Sequence, residues 1–182
     1  MRRRPLPAVP GAVEPMPRSI EGSARAAPAL ADHADFLVPG VSVIAASRDA
    51  RNLPSVTRGL ACRVSADRST LTVLLRRSQA AAVLADVEAG GWITTCHSQP
   101  STHRTIQLKG EDARILPPAD DDWALVDRFV DGFCGELAPL DYTEAFVRAL
   151  LHCPAGDLVA VCFTPREIYS QTPGPNAGAR VA

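Results

Sequence analysis

No run of apolar residues in this 182-residue chain approaches the roughly 20 that a membrane helix needs. There is no G-x-G-x-x-G, no Walker loop and no G-x-S-x-G, so the common dinucleotide, nucleoside-triphosphate and serine-hydrolase signatures are absent. Cysteine is sparse: Cys62, Cys96, Cys134, Cys153 and Cys162 make an odd set with no C-x-x-C pair. That pattern argues against a disulfide framework or a structural zinc site, and for reduced, mostly buried thiols in a cytoplasmic protein. Charge of one sign is also missing. A formal net charge of −1 creates no global field toward nucleic acid or an acidic membrane, so any anion site has to be built locally.

Proline is plentiful at the start. Pro5, Pro7, Pro10, Pro15 and Pro17 fall within MRRRPLPAVPGAVEPMP and forbid a regular helix or central strand there. The twin arginines are not followed by an apolar segment, so a secretion signal is not expected. Residues 1–33 read as a disordered Arg/Pro-rich tail, 34–170 as one folded domain, and 171–182 as a Pro/Gly-rich C-terminal segment.

Within the domain, short β-branched and apolar runs over 38–47, 55–64 and 70–75 predict three strands joined by short turns, a meander and not βαβ units. AAAVLADVEAGG predicts a helix with Ser78 as N-cap and Gly90-Gly91 as its stop. WITTCHS is the next strand, and THRTIQLKGEDARIL reads as one long strand over 102–116. Trp123, Val126, Val130, Phe133 and Leu137 recur at helical spacing after an acidic start. A second helix follows, with Asp141 and Glu144 spaced as in a capping box. LVAVCF, 158–163, is the last strand. The expected fold is mainly β with flanking helices, a six-stranded antiparallel sheet curving into a small barrel.

Three constellations carry possible chemistry. Arg76-Arg77-Ser78 sits where a strand gives way to a helix, where free N–H groups, a hydroxyl and guanidiniums make a phosphate cradle. The same turn also reads as solvated basic surface. Arg58 and Arg63 lie five apart, on opposite faces of an unbroken strand, unless a bulge at Gly59 brings them together. In THRTIQLKG, Thr105, Gln107 and Lys109 share one strand face and Ile106 and Leu108 the other. The polar row faces either water or a flat polar molecule with carbonyls and ring nitrogens. No metal site is expected. His97, His103 and Cys96 flank one turn, but their spacing matches no usual ligand pattern.

The element order, together with PSTHRTIQLKG at 100–110 and QTPGPNAG at 171–178, resembles the FMN-binding split-barrel proteins, the pyridoxamine 5′-phosphate oxidase-like group. The resemblance covers roughly residues 36–178. It implies a split β-barrel and a homodimer with FMN at the subunit interface. Arg58, Arg63, Arg76, Arg77 and Ser78 would hold the phosphate, and Gln107, with Thr105 and Lys109, the ring edge. Gln79 stands where that group often has Lys. The true oxidases carry an Arg-containing C-terminal substrate segment, and QTPGPNAGARVA offers no equivalent.

The functional expectation is an FMN-dependent oxidoreductase doing two-electron chemistry on a small organic substrate or a reduced nicotinamide. The alternative is a flavin- or haem-binding module without turnover, for which His97, His103 and His152 are the candidate axial ligands. No catalytic acid or base can be named from the sequence.

Overall fold

The computed structural model describes residues 30–37 and 39–181. Most of the expected tail lies outside the described residues. Its last four, Leu30–His33, form a short helical turn, α1, with Leu30 buried in the core. The remaining elements are β1 (Ser42–Arg48), β2 (Pro54–Val64), β3 (Leu71–Arg76), α2 (Ala81–Gly90), β4 (Ile93–Ser98), β5 (Thr105–Gly110), β6 (Arg114–Leu116), α3 (Asp122–Leu137), α4 (Glu144–Leu150), β7 (Leu158–Phe163) and β8 (Glu167–Ser170).

All strands belong to one eight-stranded sheet in the order β6-β7-β3-β2-β1-β4-β5-β8, and every pairing is antiparallel. Chain connectivity forces this sheet to curl. Laid flat, β5 and β6 would stand six strand spacings apart, about 29 Å. Only residues 111–113 join them, and four Cα steps reach at most about 14 Å. The link from β7 to β8, residues 164–166, imposes the same closure. The two links meet: Thr164 N donates to Asp112 Oδ1 at 2.9 Å, and Arg166 N to the Lys109 carbonyl at 2.8 Å.

The expected long strand over 102–116 is therefore two strands on distant parts of the sheet, and the described residues form eight strands, not six. Gly110 marks the corner. A Cβ there would come within 2.5 Å of Phe163 Cδ2, so only glycine lets the chain cross so close to β7. β8 went unread because EIYS is four residues long and only Ile168 in it is buried.

The core follows strand periodicity. In β1, Val43, Ala45 and Ser47 are buried while Ile44 and Ala46 are half-buried. Helix α3 buries Val126, Phe129, Val130, Phe133 and Leu137 against β2, whereas Trp123, expected in that stripe, stays 37 % exposed. Gly91, at φ +67°, caps α2 as expected and donates to the Val87 carbonyl. The N-caps differ from expectation. Ala80, not Ser78, caps α2, and Thr143 caps α4, its Oγ1 accepting from Phe146 N at 3.2 Å.

The bulge at Gly59 is present, the register of β2 on β3 shifting between Gly59 and Ala61. Gly59 faces Val43, and a Cβ there would sit 2.6 Å from Val43 Cγ1. After β8 the chain loops through 171–178 and returns along it, with an isolated bridge pairing Tyr169 with Arg180. Among the described residues no helix is long and apolar enough to cross a membrane.

Candidate cofactor site

Strand registers line up side chains across the outer face of the sheet. Arg58 of β2 lies opposite Ile44 of β1, Ile44 opposite Cys96 of β4, Cys96 opposite Gln107 of β5, and Gln107 opposite Tyr169 of β8. A parallel row runs Val56, Ala46, Thr94, Lys109, Glu167. Apart from exposed Val56, these side chains are half-buried, while their neighbours along β1 and β4 face the sealed interior. Arg58 to Gln107 spans three strand spacings, about 14 Å.

At the β2 end, the two arginines share a face because of the bulge, and both reach α3. Arg58 lines a small pocket with Ser42, Phe129, Phe133 and Leu151. Among the described residues its side chain bonds Ser42, Nη1 donating to Oγ at 3.2 Å. Arg63 is engaged differently. Its Nε lies 2.9 Å from Oδ1 of Asp122, a fully buried carboxylate. Asp122 Oδ2 also accepts from Ala119 N at 2.8 Å, so the pair ties the start of α3 to β2. Arg63 is thus held by the fold, some distance along the strand from Arg58.

The turn after β3 divides likewise. Arg76 is half-buried, and its Nε and Nη2 are shielded from solvent with no hydrogen-bond partner among the described residues. Two buried guanidinium nitrogens without an acceptor carry a desolvation cost that an anion would relieve. Arg76 follows Leu75, the partner of Gly59, so Arg58 and Arg76 occupy successive positions on neighbouring strands. Arg77 is exposed, and its main-chain N–H donates to the Asp157 carbonyl at 2.7 Å. Ser78 is bound twice by the Asp157 carboxylate, N to Oδ1 at 2.9 Å and Oγ to Oδ2 at 2.6 Å. Those bonds, with the nearby Arg76 and Arg77 charges, hold the Asp157 carboxyl below the usual range.

At the β5 end, Thr105 is taken up by the chain itself. Its N–H donates to Thr172 Oγ1 at 2.9 Å, its carbonyl accepts from Gln171 N at 2.8 Å, and its hydroxyl lies 3.0 Å from both Ser98 Oγ and the His103 carbonyl. Gln107 and Lys109 are less committed. Gln107 Oε1 accepts a long bond from Gln171 Nε2, 3.4 Å, and the donors of its amide meet no described residue. The Lys109 ammonium stands 4.7 Å from the centre of the Tyr169 ring. Tyr169 in turn donates its hydroxyl to Glu167 at 2.8 Å.

The structure therefore sets Arg58 and Arg76 on adjacent strands next to the Gly59–Leu75 pair, aligns Arg58 with Gln107, sets Lys109 beside Gln107, and places Arg63, Ser78 and Thr105 in bonds of their own. Sequence reasoning missed Asp157, Tyr169 and Gln171. Asp157 gave a weak signal as a carboxylate directly before an apolar strand. The other two depend on β8, whose pairing is visible only in the folded chain.

The histidines fall into two settings. His97 is wholly buried inside the barrel, Nε2 3.0 Å from Thr95 Oγ1 and Nδ1 3.8 Å from Cys62 Sγ. Burial pulls its pKa down to about 3 and pushes the Cys62 thiol up to about 12. With both ring nitrogens engaged and no access, it is a core residue and not an axial ligand. His103 and His152 are exposed.

No protein-family model matches the chain, and no curated protein is significantly similar to it. Several solved structures do match. An F420 reductase is 16 % identical, with 74 % of this chain and 93 % of that chain covered at a TM-score of 0.47. A protein related to general stress protein 26, of the pyridoxinephosphate oxidase family, from Clostridium acetobutylicum is 16 % identical over 77 % of this chain and 85 % of that one, TM-score 0.44. A pyridoxamine 5′-phosphate oxidase-related, FMN binding protein from Nostoc punctiforme is 13 % identical over 81 % and 82 %, TM-score 0.43. The structural neighbours are proteins of this split-barrel kind, all at low identity.

Proposed function

We propose that this protein binds FMN along the outer row of the sheet and acts as an oxidoreductase on a small organic substrate or a reduced nicotinamide. One observation carries the reading. Arg58 and Gln107 stand in a single lateral row, and at the Arg58 end Arg76 has two buried donors without an acceptor. A phosphate monoester suits that end, because charge-assisted bonds to guanidinium are the strong ones. A flat heterocycle with carbonyls suits the other, where the Gln107 amide and the Lys109 ammonium can donate. The ribityl chain of FMN lies between its phosphate and its ring, as β1 and β4 lie between the two ends of the row.

When bound, FMN supplies hydride exchange at its ring. The chain supplies position and electrostatics. Arg58 and Arg76 hold the phosphoryl group, Gln107 fixes the ring edge, and Lys109 places a positive charge where negative charge develops on reduction. The uncovered strands also need a cover. Val56 is 69 % and Leu53 61 % exposed beside the row, and a second copy laid on this face would bury them and wall the site. A homodimer is therefore part of the reading.

The absorbance spectrum of the purified protein tests it, with mass spectrometry of whatever is released on denaturation. A flavin band near ~450 nm and released FMN support the reading. A Soret band supports the haem-binding alternative, and no chromophore with no uptake of added FMN rejects both. Bleaching by reduced nicotinamide and recovery in air separate an enzyme from a silent module.

A further inference from the structure

The turn that should cradle a phosphate already holds an anion, the Asp157 side chain. Its carboxylate uses one oxygen on Ser78 N and the other on Ser78 Oγ. In that pose neither oxygen bonds Arg76, whose Nε and Nη2 are left without an acceptor. A phosphate monoester has three terminal oxygens and can meet Ser78 and Arg76 together.

The attachment of Asp157 is built so that the side chain can leave. The main chain is tied separately, through Arg77 N to the Asp157 carbonyl at 2.7 Å, Asp157 N to the Pro154 carbonyl at 3.0 Å, and the neighbouring pair Arg76–Leu158 in the β3–β7 ladder. The turn before it has Gly156 at φ +82° with open space around it. Swinging the carboxylate out breaks no strand pairing and opens no core.

We propose that Asp157 is a resident competitor for the phosphoryl site: its carboxylate occupies the Ser78 donors in the ligand-free protein and is displaced when a phosphate monoester enters. It thereby sets how tightly the turn takes phosphorylated ligands. The proposal rests on the phosphate end of the FMN reading but is tested without the flavin ring.

The test follows the thermal midpoint of the full chain as inorganic phosphate is titrated against chloride at matched ionic strength, for wild type, Asp157→Ala and Asp157→Asn. Removing the competitor lowers the phosphate concentration needed for half of the stabilisation by about tenfold, the worth of one charge-assisted bond. Asp157→Asn, which keeps the shape and loses the charge, falls between. Adding Arg76→Ala to Asp157→Ala cancels the gain. An unchanged or weakened phosphate response in both variants overturns the proposal. Titrating FMN and riboflavin in parallel separates the two claims. A phosphate gain without uptake of either flavin upholds the competitor and rejects the FMN reading. Flavin uptake with no gain in the FMN-to-riboflavin ratio rejects the competitor alone.

Discussion

The inside of the barrel and its outer face treat polar side chains in opposite ways. Inside, His97, Thr95 and Cys62 form a closed set, each polar atom matched within the set or to main chain, and none reaches water. Outside, Arg58, Arg76, Gln107 and Lys109 stand half-buried in or beside one row, with donors that the described chain does not use. The Arg63–Asp122 pair shows that this is not a general looseness of the surface. The same strand and the same face carry an arginine held by a fully buried carboxylate. Closed sets mark where polar groups serve the fold. Open donors in a dehydrated setting mark where something else completes them.

The comparison breaks most visibly with acid. His97 titrates near 3 in the folded chain and near 6.5 unfolded. Between those values the unfolded state binds the extra proton, so stability is complete above about pH 6.5 and is lost as pH falls toward 3. The loss is on the order of 4–5 kcal/mol, since each pH unit between the folded and unfolded values is worth about 1.4 kcal/mol. Urea unfolding at a series of pH values reads it directly, and His97→Gln flattens the slope if the closed set is its source.

Asp122→Ala should cost about 2–3 kcal/mol of stability, the worth of hydrogen bonds to a charged group, while FMN uptake stays as in wild type. Arg58→Ala and Arg76→Ala should show the reverse profile. Denaturant unfolding changes by less than about 1 kcal/mol, because the chain itself makes little use of these guanidiniums, while FMN affinity drops by about 1.5–3 kcal/mol. Should Arg76→Ala unfold the protein and leave FMN binding alone, the two regions do not differ in the way described. Gln107→Ala has the smallest effect, about 0.5–1.5 kcal/mol. It weakens FMN and riboflavin equally, since both carry the ring.

Much of the scaffold was legible from local pattern. The short apolar runs of β1 to β4, the apolar stripe of α3, the Gly91 stop and the Gly59 bulge all follow from local composition and spacing and from the backbone freedom that glycine alone has. What failed was non-local. The break at Gly110 is set by Phe163, more than fifty residues away, and no local rule distinguishes TIQLKGEDARIL as one strand from two. The site was half legible for the same reason. Arg58, Gln107 and Lys109 declare themselves by strand face. The partners that engage Arg63, Ser78 and Thr105 in the ligand-free chain, Asp122, Asp157 and Thr172, come from remote segments that only folding brings near.

The most direct test of the outer-row account is a paired fluorescence titration of the purified protein with FMN and with riboflavin, which differ only in the phosphate. The account predicts that FMN binds at least about tenfold more tightly, that Arg76→Ala narrows the difference, and that Arg76→Ala together with Arg58→Ala removes it while riboflavin affinity holds. Equal affinity for the two, or a preference for FMN that survives Arg76→Ala together with Arg58→Ala, contradicts it.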